Sequence, residues 1–148
     1  AYRKGEPMKQ IQDLTSIYAR KKPAEFADNL CLFFCYNFCK GKIFKDEKEA
    51  FDAAEKARLD GLLGDDGFVL NAEAILREGN SFRWCVQKEK ISVIDDIKKA
   101  SPVCFEYNGR AHWVVVENGK IVFNSLENSV CVKNGKPTSM RIIRQLDL

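Results

Sequence analysis

The stretch Leu30, Cys31, Leu32, Phe33, Phe34, Cys35, Tyr36, Asn37, Phe38 and Cys39 constrains this chain more than any other part of it. Asp28 and Asn29 precede it as cap-forming residues, and Gly41 follows, so a helix is predicted over Leu30 to Lys40. Broken only by Asn37, its apolar surface runs almost all the way round. A helix without a polar face has to be enclosed on most sides, so this one marks the middle of the fold. The rest of the chain must supply the layers that cover it.

A length of 148 residues suits a single domain over the whole chain, 1–148. The hydrophobic fraction is 45% and the charged fraction 30%, an ordinary balance for a globular protein. Against 24 basic residues stand 21 acidic ones, and the net +3 is too small and too scattered to imply nucleic acid as a partner. No apolar run approaches the roughly 20 residues that span a bilayer, so no membrane segment is expected.

Six cysteines stand at 31, 35, 39, 85, 104 and 131. Three are spaced four residues apart, and i, i+4 helix neighbours hold their side chains nearly parallel, which suits a disulfide poorly. There is no CxxC pair, and the sole histidine is far from the cysteine cluster, so no metal site and no cofactor are expected. Free, mostly buried thiols favour a reducing compartment, the cytoplasm. A first residue of Ala leaves room for a cleaved signal peptide.

Helical spacing also marks Ile11 to Arg20, Lys48 to Asp60, a short stretch capped by Asn71, and a segment capped by Ser92 that runs through Ile94 and Ile97 to Lys98. Phe82 to Val86 reads as a strand. Beyond Pro102 the pattern is one of strands: Val103 to Tyr107, Ala111 to Glu117 and Lys120 to Ser125, joined by Asn108-Gly109 and Asn118-Gly119. Asn-Gly tolerates the positive φ of a type I′ turn at both positions, so the three strands form an antiparallel meander. Val130 to Val132 and Met140 to Leu146 are expected to extend it. Helices first and sheet second make the fold class α+β.

Chemistry concentrates on three residues. With Asp28 as N-cap, Cys31 is the third residue of the core helix, near its positive end, where a thiolate is favoured. By position alone, nucleophile and core filler are equally good readings of Cys31. His112 lies just after a turn, near the start of a strand, where its ring can be held at the sheet's rim. A lone strand histidine is more often structural than catalytic. Asn124 ends the next strand and can orient an imidazole through its side-chain amide. Pairing from the Asn118-Gly119 turn sets position 112 opposite 125, so a one-residue bulge is needed to bring Asn124 onto the face of His112.

The order Pro102-Val103, Gly109, His112-Trp113-Val114-Val115 and then Asn124, behind a helix-borne Cys31, resembles the papain-like cysteine peptidase superfamily. It is most similar to the compact bacterial branch of the double-glycine leader peptidases of bacteriocin exporters, and within that branch to a spirochaete family. The segment from Gly67 to Leu76, ahead of Gly79, also resembles the stretch before that branch's second helix. The resemblance spans Asp28 to Ser125. It implies a papain-like fold, with the buried helix packed on the sheet, and a catalytic triad of Cys31, His112 and Asn124. One departure concerns the oxyanion. Six residues before the nucleophile the superfamily carries Gln, a donor, whereas this chain has Glu25, an acceptor. Losing one such donor costs about 10²- to 10³-fold in rate. Asn29 and Gln12 are the alternative donors.

Three functional readings follow. The first is thiol-dependent amide hydrolysis or acyl transfer on a peptide or protein substrate. The second is a binding module that keeps the fold and has lost turnover, which Glu25 favours. The third is a structural, self-associating protein whose cysteines and histidine all serve the core. Oligomeric state is not legible in the sequence.

Overall fold

The computed structural model describes residues 24–126 and 128–146, with the side chains of Ala24 and Glu25 excluded. The helix expected over Ile11 to Arg20, and Gln12 within it, lie outside these residues. In chain order the elements are α1 (Ala24–Asp28), α2 (Cys31–Cys39), α3 (Glu47–Leu59), α4 (Ala72–Arg77), β1 (Arg83–Lys90), β2 (Ser101–Tyr107), β3 (Arg110–Glu117), β4 (Lys120–Phe123), α5 (Val130–Asn134) and β5 (Lys136–Leu146). The class is α+β. The strands form one antiparallel sheet of five, in the order β1-β5-β2-β3-β4.

Local chemistry explains most boundaries. Asp46 caps α3 by accepting the Glu49 N–H, and Asn71 caps α4 by accepting that of Ala74. The two tight turns have left-handed backbone at both central positions, with φ of 48° and 78° at Asn108-Gly109 and 52° and 73° at Asn118-Gly119. That is the conformation for which Asn-Gly is suited.

The core lies on both faces of the sheet. On one face α2 packs against β3, β2 and α4. Cys31, Phe33, Phe34, Cys35, Tyr36 and Asn37 of α2 are all buried, and Phe34 meets the edges of Phe44 and Phe51. The Asn37 amide, the one polar interruption, donates one N–H back to the Phe33 carbonyl at 2.9 Å, which offsets part of the cost of its burial. On the other face Val103, Phe105, Val114, Val116 and Met140 form a second apolar cluster with Ile97 and Cys131.

Two sequence expectations are corrected here. Ser92 to Lys98 is not a helix but a run of turns. The carbonyls of Ile97 and Lys98 accept the N–H groups of Gly119 and Asn118, so the β3–β4 turn takes acceptors that would otherwise serve the residues following a helix. Val130 to Val132 does not extend the sheet but starts α5. Its Cys131 packs on the second apolar cluster, burying by face contact what a strand would have buried by pairing. The chain then turns at Gly135, where a Cβ would collide with the carbonyls of Cys131 and Glu106, and β5 runs back between β1 and β2.

Candidate active site

β3 and β4 start in the register set by their turn, Glu117 opposite Lys120 and Val116 opposite Ile121. The register then shifts, and Val115 faces Phe123, leaving Val122 as an extra residue. Carried one step on, the shift sets Asn124 across from Val114, on the face that His112 shares. His112 Nε2 and Asn124 Oδ1 are 2.7 Å apart.

A second bond to the same oxygen decides where the proton is. The backbone N–H of Leu126 donates to Asn124 Oδ1 at 3.1 Å, and because that N–H can only donate, the atom facing it is the amide oxygen. The imidazole must therefore donate through Nε2–H, and neutral His112 keeps its lone pair on Nδ1. The ring is 4% exposed, and burial holds its pKa below the ordinary value, with the Asn124 bond pulling the other way. His112 is thus an uncharged base of defined tautomer.

Cys31 is placed differently from the sequence expectation. Asp28 ends α1 and does not cap α2. The N-cap of α2 is Leu30, with no side-chain cap bond, and Cys31 is the first residue of the helix, not the third. The N–H groups of the first turn lack intrahelical acceptors. The backbone N–H groups of Trp113, Leu32 and Cys31 lie near enough to the Cys31 sulfur to favour its ionised form. Pairing with β4 ends at Val115, so Trp113 lies on the stretch of β3 that β4 has left. The sulfur is therefore beside the backbone of the residue that follows His112.

The helix end does not prevail over burial. Cys31 is 5% exposed, and desolvation pushes its thiol up to about 11, outweighing the three N–H groups that pull it down. The expected resting thiolate is therefore corrected to a neutral thiol. A group with that pKa is ionised to about one part in 10⁴ at pH 7. Cys35 and Cys104 are raised by burial too.

Of the alternative oxyanion donors, Asn29 donates its amide N–H to the Asp66 carbonyl at 3.0 Å. That bond ties the loop 61–67 to the junction of α1 and α2, where Gly67 (φ 87°) packs against the Phe26 backbone so closely that any Cβ would overlap the Phe26 carbonyl. The backbone places Glu25 in α1.

A cleft of about 580 Å³ opens beside His112, bounded by Asp28 and Asn29 on one side and by Leu126 and residues 128–131 on the other. Sequence reasoning missed these walls because it placed Val130 to Val132 in the sheet. It also missed the Leu126 and Trp113 N–H groups, since backbone donors carry no residue signature. Among the described residues no group of three or more His, Cys, Asp or Glu is placed to hold a metal ion, and no helix is long and apolar enough to cross a membrane. No family model matches this chain, and no curated protein or solved structure matches it either.

Proposed function

We propose that this chain is a thiol-dependent amide hydrolase or acyl transferase acting on peptides, organised on the papain-like plan, with Cys31 as nucleophile, His112 as general base and acid, and Asn124 orienting His112. The observation that carries the reading is the 2.7 Å bond from His112 Nε2 to an Asn124 oxygen whose identity the Leu126 N–H fixes. Donation through Nε2–H leaves the lone pair on Nδ1, the form a general base requires.

Because the thiol rests neutral, the proton leaves during attack and not before it. Nδ1 takes the Cys31 proton as the sulfur bonds to the substrate carbonyl carbon, and the carbonyl electron pair moves onto oxygen. The Cys31 backbone N–H, at the open end of α2, supports that oxyanion. Collapse of the adduct breaks the C–N bond, and the imidazolium returns its proton to the departing amine. Water, deprotonated by the same ring, then releases the acyl group, or an amine accepts it in transfer. With Glu25 where a donor is expected, turnover is slower than in a site with a full oxyanion hole, by about 10²- to 10³-fold.

The second reading, a binding module without turnover, is favoured by the low exposure of Cys31 and by its raised pKa. Alkylation by iodoacetamide at pH 7.5, resolved residue by residue by mass spectrometry, separates the two. The exposed Cys85 serves as an internal standard. In the hydrolase, His112→Gln slows labelling of Cys31 by about tenfold or more and leaves Cys85 unchanged. Equal Cys31 rates in both proteins, together with no cleavage of a peptide library, would assign the chain to the binding class.

A further inference from the structure

The cleft beside His112 is lined by donors that the fold does not use. Ser129 is 4% exposed, yet its hydroxyl caps no N–H of α5 and has no hydrogen-bond partner among the described residues. A buried hydroxyl in that state is costly unless something binds it. Asn128 gives its amide oxygen to Lys133 Nζ at 3.4 Å, which leaves its N–H₂ for a ligand. Arg110, at the start of β3, is exposed at the rim and makes no ion pair among the described residues. Among the described residues of the lining the acidic one is Asp28, which is on the α1 side and is already engaged in an interaction of its own.

A guanidinium, an amide N–H₂ and a hydroxyl around one cleft call for a ligand that only accepts. A carboxylate is such a group, and Arg recognises it through two parallel bonds. The cleft adjoins His112, the residue that hands a proton to the departing amine, so a group seated there belongs to the leaving side of the scissile bond. We infer that this cleft receives the leaving-group portion of the peptide and selects a carboxylate on it, held by Arg110, Asn128 and Ser129. Its place on the leaving side rests on the hydrolase reading above. The carboxylate comes either from an acidic side chain just after the cleaved bond or from a chain terminus.

His112 is the only histidine, so its ring C–H signal in the NMR spectrum of the full chain reports on the cleft without ambiguity. Four probes are titrated at pH 7.5: glutamic acid α-amide, glutamine, glutaminamide and inorganic phosphate. A saturable shift with glutamic acid α-amide identifies an acidic side chain as the source, and one with glutamine identifies a terminal carboxylate. Either supports the proposal when glutaminamide binds at least about tenfold more weakly, the worth of one charge-assisted contact. Arg110→Gln weakens the shift by about tenfold, Arg110→Lys by less, and Ser129→Ala by a few fold. Equal binding of glutaminamide, tighter binding of phosphate, no shift with any probe, or an Arg110→Gln variant that binds as the parent does would each overturn it. Carboxylate binding without any hydrolysis leaves the site standing and removes the hydrolase reading. Hydrolysis indifferent to a carboxylate after the bond does the reverse.

Discussion

Asn124 holds His112 by an oxygen that already has a backbone donor. Leu126 N–H approaches Asn124 Oδ1 at 3.1 Å while His112 Nε2 lies 2.7 Å away, so a chain turn just past β4 orients the amide and the amide orients the ring. The positioning is part of the backbone's own hydrogen bonding.

Asn124→Ala therefore removes the fix on the tautomer. Hydrolysis of a peptide substrate is expected to fall about 10²-fold, near the lower end of what a positioned acid–base group contributes. ¹⁵N spectra of the His112 ring should report an Nε2–H tautomer in the parent chain and a mixture in the variant. A variant that loses activity with an unchanged tautomer would place the role of Asn124 in folding.

The burial that keeps His112 neutral makes stability depend on acidity. Its folded pKa is depressed, so between that value and the unfolded value near 6.5 the unfolded chain binds the extra proton. The stabilising contribution is complete above pH 6.5 and is lost as the pH falls through 6.5 toward the folded pKa. Urea midpoints measured from pH 7.5 to 5 should decline, and His112→Gln should flatten part of that decline. Parallel curves for the two proteins would contradict the assignment.

The opposite sign holds at alkaline pH. The Cys31 thiol is raised from 9.0 to about 11, so its contribution is full below pH 9 and disappears as the pH climbs toward 11. Cys35 and Tyr36 are also raised by burial and add to the same limb. Denaturation midpoints should drop between pH 9 and 10.5, and Cys31→Ala should lessen the drop. An equal drop in the variant would mean that the sulfur is open to water.

Gly67 is predicted to tolerate no side chain. With φ at 87° and the Phe26 carbonyl in the way, Gly67→Ala should cost about 1–3 kcal/mol and lower the melting temperature by several degrees. Gly41 has a similar φ of 86° but open space around it, so Gly41→Ala should cost only about 1 kcal/mol. Equal losses at the two sites would mean that the loop 61–67 is not seated on the α1–α2 junction.

What could be read from the sequence was what a few neighbouring residues settle among themselves. Asn108-Gly109 and Asn118-Gly119 turn because their own backbones accept positive φ, and Asn71 caps because its side chain reaches an N–H three residues on. Apolar residues all round Leu30 to Cys39 demand enclosure whatever encloses them.

Contacts between distant parts of the chain decided the rest. Ser92 to Lys98 form turns whose Ile97 and Lys98 carbonyls receive the β3–β4 turn, and Val130 to Val132 form α5, with Cys131 buried against the sheet's second face. The need for a bulge was legible from the turn register, but its position at Val122 was not. At Cys31 opposing forces compete: the N–H groups of Trp113 on β3 and of Leu32 and Cys31 at the start of α2 lower the thiol's pKa, and the packing around it raises the pKa further. Helix-end stabilisation is set by a turn of sequence, whereas desolvation is set by everything that closes over the sulfur, so the protonation state of Cys31 was a property of the tertiary structure alone.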